Sequence, residues 1–356
     1  MSLPFLQPYF GLSNSLQTAQ ASAGGVGGWV ELGRTTLGST ADTISVASLA
    51  DKRYYMILAD QRASGDTNSG FRLNGDTGSN YAQRGNFNGT ENTSTSNSSL
   101  VGNWGSAVST KAFHVGYLAN KSDKEKLAII YNVTQSTAGA GTAPNRQEGV
   151  GKHAQTSVAI NAVSLTNTDS GDYTSGSELV VLGWDPADTH TTNFWTELAS
   201  VNWSSGATID SGVFTAKKYL WIQAYLDSDT TAGYDRIRVG NATIDTAANY
   251  SGRYSIDGGA DGTQVSSADN FFPSDGSGTA SRKTFTNIFV VNNSANEKLF
   301  IGSSIFYFTA GAGTAPRRTE WVMKWANTSN QINRVDFNRS AGNYEGSTTL
   351  KVWGSD

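Results

Sequence analysis

Apolar and polar side chains alternate along many short stretches of this chain, with the two-residue period that is typical of β-strands. The clearest stretch is 218–226, in which one face carries Leu220, Ile222, Ala224 and Leu226 and the other carries polar or aromatic side chains. This pattern predicts a strand whose two faces meet different surroundings. No helical period of useful length occurs after residue 20.

Pairs of apolar stretches separated by polar turns predict β-hairpins. Stretches 285–291 and 299–308 flank the polar segment 292–296, which is a hairpin signal. Stretches 113–118 and 127–133 repeat the arrangement around another polar turn. The chain is therefore expected to consist of many short strands joined by polar turns.

An internal repeat organises the whole chain. The eight residues of 137–144, TAGAGTAP, recur unchanged at 309–316. Residues in other blocks also correspond: Tyr54, Glu125, Leu127, Arg146, Glu148 and Lys152 match Tyr219, Glu297, Leu299, Arg318, Glu320 and Lys324. The matching blocks follow in the same order and the gaps fall in polar loops, so the chain contains a duplicated unit.

The repeat sets the expected domain boundaries. The two copies extend over 29–185 and 195–356, with a linker at 186–194 and an arm at 1–28. Roughly eight short strands per copy predict an all-β protein of two tandem jelly-roll-like β-sandwich domains. The linker is short, which favours a fixed pair of domains over a freely swinging one.

The N-terminal arm has no counterpart in the second copy. The Gly-rich segment 23–28 predicts a flexible hinge. An apolar tip on such a tether suits a peptide that anchors the protein to another protein's surface. The alternative, which the sequence leaves open, is that the tip folds back onto the first domain. The residues predicted to anchor a partner are Phe5, Leu6, Pro8, Tyr9, Phe10 and Leu12.

Composition and charge argue against several classes of protein. A net charge of −4 without a basic patch argues against nucleic-acid binding. The absence of cysteine rules out disulfides and thiolate metal sites. The first residues lack the features of a signal peptide, and no stretch reaches the ~20 apolar residues of a membrane span. We therefore expect synthesis in a cytoplasm and no membrane insertion.

The histidines do not predict a metal site or a catalytic base. His114, His153 and His190 are not at ligand spacing, and none recurs in the other copy. A serine nucleophile would need both a histidine and an elbow motif, and Gly-x-Ser-x-Gly does not occur. Packed or surface histidines are the expected outcome.

The acidic residues favour structural roles over chemistry. Asp-rich turns at 227–229 and 257–262 fit turn geometry better than a calcium site. The carboxylates that recur in both copies lie beside basic residues or at turns, which favours ion pairs over a glycosidase dyad. Those in the first copy are Glu31, Asp76, Glu125 and Glu148. We therefore predict no enzyme activity, no metal site and no cofactor.

Four aromatic residues near loops are candidates for binding a glycan: Trp104, Trp203, Tyr234 and Phe272. Exposed aromatic rings stack on sugars in lectin-like sandwiches. The alternative is that these rings pack in a core or at a subunit interface.

Several segments carry a resemblance to a known family. They are GWVELGRTTLG at 28–38, DKRYY at 51–55, DTGSNY at 76–81, TAGAGTAP at 137–144 and SELVVLGWD at 177–185. These segments resemble the repeated β-domains of virion structural proteins from marine tailed phages that infect cyanobacteria. The second copy departs at its start, where ASVNW at 199–203 stands in place of GRTTL. The resemblance implies a structural role and supplies no catalytic residues.

The resemblance and the arm together predict a non-catalytic virion structural protein, a surface decoration or fibre component attached to the capsid or the tail. The expected partners are capsid or tail proteins and further copies of the chain, by analogy as a trimer. One alternative is a carbohydrate- or receptor-binding module for host adhesion. Another is a glycan-degrading enzyme, which would need two carboxylates ~5–10 Å apart across a cleft.

Overall fold

The computed structural model describes residues 28–102, 111–186, 188, 190, 192–269, 273, 281–307 and 309–356. These residues form twenty-four β-strands and no α-helix, in two halves. The strands of half 1 are β1 (Val30–Thr36), β2 (Thr43–Val46), β3 (Tyr54–Gln61), β4 (Ser69–Leu73), β5 (Tyr81–Phe87), β6 (Thr90–Asn97), β7 (Leu100–Val101), β8 (Ala112–Ala119), β9 (Lys126–Thr134), β10 (Asn145–His153), β11 (Val163–Asn167) and β12 (Glu178–Trp184). The strands of half 2 are β13 (Thr196–Asn202), β14 (Thr208–Asp210), β15 (Tyr219–Asp227), β16 (Asp235–Asn241), β17 (Thr243–Ile244), β18 (Tyr250–Ile256), β19 (Gly262–Ser267), β20 (Lys283–Val291), β21 (Lys298–Tyr307), β22 (Arg317–Trp325), β23 (Arg334–Arg339) and β24 (Thr349–Ser355).

Each half consists of a large and a small antiparallel sheet. In half 1 the large sheet has the order β1-β12-β3-β8-β9-β10-β5-β6 and the small sheet the order β2-β11-β4-β7. In half 2 the orders are β13-β24-β15-β20-β21-β22-β18-β19 and β14-β23-β16-β17. The large sheets correspond strand for strand, as the duplicated sequence leads us to expect.

Eight strands of half 1 have the connectivity of a jelly roll. Once the hairpins β5–β6 and β9–β10 are set aside, successive strands alternate between the large and the small sheet, except that β4 is followed by β7 of the same small sheet. The remaining strands are ordered β1-β12-β3-β8 and β2-β11-β4-β7, which is the interleaving of two Greek keys. The predicted all-β fold of tandem jelly-roll-like sandwiches is therefore confirmed.

The predicted number of strands, roughly eight per copy, is wrong, because the structure has twelve in each half. The two inserted hairpins widen the large sheet of half 1. β6, with the sequence TENTSTSN, lies at the edge of that sheet and is mostly exposed. A polar edge strand needs no buried face, so its sequence lacks the apolar alternation that predicts a strand.

Each half has an apolar core between its two sheets. In half 1, Ile44 and Val46 of the small sheet pack in one cluster with Tyr55, Ile57 and Leu179 of the large sheet. In half 2, the four aliphatic side chains predicted to share one face of β15 all lie in the core. Removal of this apolar surface from water is the main driving force for folding each sandwich.

The outer faces of the two large sheets pack against each other, so that the chain forms four layers of sheet. An apolar cluster between them combines Leu58 of half 1 with Tyr219 and Phe289 of half 2, and it also includes Phe194 and Trp195. Both faces of β3 are therefore covered. This double burial explains why its sequence, YYMILADQ, is a nearly continuous apolar run.

At one pair of neighbouring strands in the large sheets, the two halves have exchanged the positions of a large side chain and a glycine. In half 2, Gly302 of β21 lies opposite Trp321 of β22, and a Cβ at position 302 would lie 2.1 Å from the Trp321 ring. In half 1 the corresponding pair is Ile130 opposite Gly149. The large side chain and the glycine have changed places across the strand pair, and in half 2 the glycine makes room for the Trp321 ring.

Candidate functional site on the outer faces of the large sheets

The contact between the halves joins two different surfaces. Half 1 contributes a loop face, which consists of Phe113, Val133, Gln135 and the loop 137–144. Half 2 contributes a receiving face, which consists of Tyr219, Glu297, Leu299, Ile301, Val322 and Lys324. Every individually named side chain of the two faces is buried.

Two buried charges of half 2 hold the repeated loop of half 1. Glu297 accepts a hydrogen bond from Gln135 Nε2 at 2.7 Å and another from the Gly139 N–H. Lys324 donates to the carbonyl oxygen of Gln135 at 3.2 Å and to that of Thr137. Burial lowers the pKa of Lys324, while Glu297, 3.8 Å away, acts in the opposite direction. The pair of opposite charges thus satisfies both N–H and carbonyl groups of the docked loop.

Three further hydrogen bonds fix the rest of the loop, one of them from Ser251 Oγ to the Thr142 carbonyl oxygen at 3.1 Å. The Ser266 N–H donates to the Ala140 carbonyl oxygen at 2.9 Å. Arg253 Nε donates to the Pro144 carbonyl oxygen at 3.1 Å. Since these bonds are made to the backbone, they depend on the conformation of the loop and tolerate changes in its side chains.

A charge cluster joins the halves elsewhere in the contact. Lys218 Nζ lies 2.9 Å from Glu178 Oε1 and 3.7 Å from Asp60 Oδ2, and Tyr219 Oη donates to Glu178 Oε1 at 2.9 Å. Burial alone would raise the pKa of Glu178, but the Thr36 hydroxyl and Lys218 hold it below its usual value. The carboxylate therefore stays ionised inside the contact.

The same two faces occur a second time without a cover. The residues of half 1 that correspond to the receiving face are Tyr54, Glu125, Leu127, Ile129, Val150 and Lys152, and all are exposed. The residues of half 2 that correspond to the loop face are Phe285, Ile305, Tyr307 and the loop 309–316, and all are exposed. Leu127 is 58% exposed, whereas its counterpart Leu299 is 1% exposed. Of the ten large hydrophobic side chains that the described residues expose, seven belong to these two surfaces, which marks them as interaction sites.

An apolar pocket of about 350 Å³ opens on the uncovered receiving face of half 1. Trp29 and Trp184 line it with ring centroids 6.5 Å apart, and Tyr54 stacks on Trp184 at 5.5 Å. In half 2 the position that corresponds to Tyr54 is covered, because Phe113 of half 1 stacks on Tyr219 at 6.2 Å. The pocket of half 1 therefore lies beside the position that Phe113 covers in half 2, where Ser355 stands in place of Trp184.

A polar groove of about 470 Å³ runs along the seam between the halves. Glu148 and Arg318 line it: Glu148 Oε1 lies 3.0 Å from Arg146 Nη1, and Arg318 Nη1 donates to Glu320 Oε1 at 2.7 Å. Burial, and then the nearby Glu148, raise the pKa of Glu320. Arg146 also pairs with the buried Asp261 of half 2 at 2.6 Å. The predicted ion pair between Glu148 and Arg146 is therefore present and takes part in the contact between the halves.

His114 and His153 are packed against polar side chains. His114 Nε2 lies 3.0 Å from Gln61 Oε1, and its Nδ1 lies 3.0 Å from Asn132 Nδ2. Full burial lowers the pKa of His114 to about 3, so the ring is neutral at pH 7. His153 Nε2 lies 2.7 Å from Asp76 Oδ2. Each ring has a structural hydrogen bond, as the sequence predicted for packed histidines.

The carboxylates of the Asp-rich turns bind groups of the protein itself. Asp229 accepts hydrogen bonds from the backbone N–H groups of Thr231 and Asn343, at 2.8 and 2.7 Å. Asp257 pairs with Arg317 at 2.7 Å. Within the described ranges, no group of three or more His, Cys, Asp or Glu residues could hold a metal ion.

Two of the four predicted glycan-binding aromatics lie among the described residues, and both are half-buried. Trp203 packs against the core of half 2, and its Nε1 donates to the Gly206 carbonyl oxygen at 3.4 Å. The Tyr234 N–H donates to Ser340 Oγ at 2.8 Å. Trp203 directly follows β13 of the large sheet, and Tyr234 directly precedes β16 of the small sheet. The other two, Trp104 and Phe272, and the predicted anchor residues Phe5, Leu6, Pro8, Tyr9, Phe10 and Leu12 lie outside the described residues.

The predicted site residues do not include the two uncovered faces. A usable signal was present in the large sheet, since Leu127, Ile129 and Val133 alternate with Ala128 and Ile130, so that β9 is apolar on both faces. A strand of that kind needs a cover on each side. The small sheet of the same half covers one apolar face of the strand. The second apolar face therefore predicts an interface.

Comparisons with known proteins assign no family to this chain. No family model matches the chain, and no curated protein matches it. Among solved structures, it is similar to domains LG4-5 of the mouse laminin alpha1 chain at 10% identity, covering 98% of this chain and 93% of that chain, with a TM-score of 0.19. It is also similar to Neisserial surface protein A at 8% identity, covering 81% of this chain and 99% of that chain, with a TM-score of 0.12. A helix long and apolar enough to cross a membrane is absent from the part of the chain that the structure describes.

Proposed function

We propose that this protein is a non-catalytic structural component of a phage virion, displayed on the particle surface and attached to the capsid or the tail through its N-terminal arm. The observation that carries the proposal is that the large exposed apolar side chains are concentrated on two open faces. Large open apolar faces are surfaces for assembly. The virion context is supported by the resemblance of segments such as 28–38 and 177–185 to repeated β-domains of phage structural proteins.

The roles of the charged residues support a structural function. Glu148, which lines the seam groove, and Glu320, which lies near it, each pair with an arginine of the same strand. The buried His114 is neutral and hydrogen-bonded within the sheet. These groups stabilise packing, and none of them is arranged as a nucleophile with its base.

Host adhesion through a glycan is the alternative, and it has less support. A sugar-stacking platform needs an exposed aromatic face, whereas Trp203 and Tyr234 are half-buried. Adhesion would require that these rings or the loops around them present more surface than they do.

Co-sedimentation with virus particles that lack the protein tests the proposal. We expect the full-length chain to pellet with the particles and a chain that starts at Gly28 to stay in the supernatant. A full-length variant with Leu6→Asp and Phe10→Asp serves as the matched control and is expected to behave like the shortened chain. If no form pellets with the particles, the structural role is wrong. If all forms pellet equally, the arm is not the anchor.

A further inference from the structure

The contact inside the chain is head to tail. Half 1 uses its loop face and half 2 uses its receiving face, and the corresponding reverse contacts are not made. Gln135 binds Glu297, for example, whereas Tyr307 and Glu125, which stand in the corresponding positions, are both exposed. A contact of this kind leaves one free receiving face on half 1 and one free loop face on half 2. It can therefore be repeated by the next copy.

We propose that a second copy of this chain docks head to tail, placing the receiving face of its half 1 on the loop face of half 2. This inference rests on the proposed role as a structural building block and names the partner as the chain itself. A second copy fits the free faces because their loop, aromatic pair and flanking charges have counterparts that pair within one chain.

The apolar parts of the two free faces match as they do inside the chain. Phe113 and Tyr219 stack across the internal contact and are 1% and 0% exposed. Their counterparts are Phe285, 42% exposed, and Tyr54, 37% exposed. In the assembly, Phe285 of one copy would enter the apolar pocket of the next copy beside Tyr54 and Trp184. Both rings would then gain the burial that their counterparts already have.

The repeated loop supplies the polar parts of the match. Its eight residues are identical in the two halves, yet residues 309–316 are all exposed. The charges that would hold it are present on half 1, where Glu125 and Lys152 pair with each other at 2.9 Å on the surface. They correspond to Glu297 and Lys324, which hold the inner loop. In the assembly, Lys152 would donate to loop carbonyls and Glu125 would accept from the Gly311 N–H.

The flanking charges also correspond. The internal pair between Arg146 and Asp261 is represented on the free faces by Arg318 and Glu91. The side chain of Arg318 is 60% exposed and that of Glu91 is 67% exposed. Charges of opposite sign therefore face each other at the place where the internal contact has its arginine–aspartate pair.

Two parts of the internal contact have no equivalent between copies, and the first is the hydrogen bond from Gln135 to Glu297, because Tyr307 stands at the position of Gln135. Asp60, which lies near Lys218, corresponds to Tyr225 by the registers of β3 with β8 and of β15 with β20. Glu178 likewise corresponds to Thr349. The contact between copies therefore lacks the buried ion-pair cluster. We expect it to be weaker than the contact within the chain, as suits assembly at high local concentration.

Head-to-tail contacts close into a ring where the rotation between units permits, and otherwise continue as a filament. The trimer expected from analogy would be one such ring, with six alternating halves. The competing occupant of the free receiving face is the arm of the same chain, which the sequence left as a possible cover of the first domain. A test must separate these two occupants.

Cross-linking between single-cysteine variants provides this test, because the chain has no cysteine of its own. Inside the chain, Ser266 bonds to Ala140, and the corresponding free positions are Ser96 and Ala312. A mixture of Ser96→Cys and Ala312→Cys chains is treated with a short bis-maleimide. We expect a two-chain product that exceeds the product of either variant alone several-fold. A single chain that carries both Ala140→Cys and Ser266→Cys is the positive control. Its internal cross-link shows that the bis-maleimide spans the distance between these two positions.

Matched surface variants sharpen the result. Leu127→Glu in the Ser96→Cys chain is expected to abolish the two-chain product, whereas Val213→Glu, at a 60% exposed position outside both faces, leaves it unchanged. Head-to-tail docking is overturned if the mixture gives no product while the internal control cross-links. It is also overturned if one variant alone gives as much product as the mixture. Product that forms only when both chains start at Gly28 assigns the free face to the arm and also overturns it.

Failure of this inference is distinguishable from failure of the proposed function. If chains pellet with particles but give no mixed product, the structural role is supported and docking between copies is contradicted. If chains cross-link but do not pellet, docking between copies is supported and virion attachment is contradicted.

Discussion

Replacing Glu297 with alanine is expected to lower the free energy of unfolding by about 3–5 kcal/mol, the cost of leaving a buried charge without its partner. The variant removes the acceptor for Gln135 and for the Gly139 N–H. It also leaves Lys324, which is fully buried, without its counter-charge. Denaturant unfolding at neutral pH measures the loss.

The repeat provides the control for this prediction. Glu125→Ala removes the corresponding carboxylate of half 1, which forms an exposed pair with Lys152. Exposed pairs contribute about 0–1 kcal/mol, so this variant should unfold almost like the parent chain. Equal and small losses for the two variants would show that the receiving face of half 2 is not covered as described.

Replacing Leu299 with alanine is expected to cost about 2–5 kcal/mol, the range for deleting a buried leucine side chain. Leu299 is 1% exposed and packs in the apolar cluster between the two large sheets. The deletion leaves a cavity there, because side chains of both halves surround it and the sheets resist collapse. Thermal or denaturant unfolding at low protein concentration measures the effect.

Leu127→Ala is the matched control at the same position of half 1. Its side chain is 58% exposed, and substitutions at such sites usually change stability by less than about 0.5 kcal/mol. Low protein concentration keeps the chains apart, so that any contact between copies does not contribute. A loss from Leu127→Ala as large as that from Leu299→Ala would contradict the assignment of one face as covered and the other as free.

The fold was largely predictable because the signals that define it are local or repeated. Alternation in 218–226 predicted the two faces of β15, and the recurrence of TAGAGTAP predicted two equivalent halves. β6 and β19 were not predicted, because they are edge strands without a buried position. Their pairing is set by the backbone of the neighbouring strand, which leaves no apolar pattern in the sequence.

The candidate site was less predictable, for a reason that the repeat makes clear. The loops 137–144 and 309–316 have the same sequence, yet one lies against the other half and the other is exposed. No local property of the eight residues distinguishes them. The difference arises from the placement of the halves, which depends on contacts such as Lys218 with Glu178 that are distant in sequence.

The sequence predicted binding sites at loop aromatics and in the arm, because exposed aromatic side chains and apolar tips are the usual marks of binding. The free faces lie instead on regular strands, and Leu127 and Ile129 belong to a stretch that the sequence assigned to a hairpin. An apolar period predicts that a residue is buried, but it does not show which surface covers that residue. A second apolar face on a sheet that already has a sandwich partner was the informative feature.

We infer that the contact between the halves is also the contact between copies. The most direct measurement of this is an electron cryo-microscopy structure of the full-length protein in its assembled form. We expect the loop 309–316 of one copy to lie on Glu125 and Lys152 of the next, with Phe285 beside Tyr54, so that this contact superposes on the one inside the chain. Copies joined by a two-fold axis, or an assembly in which Leu127 and Phe285 face solvent, would contradict it.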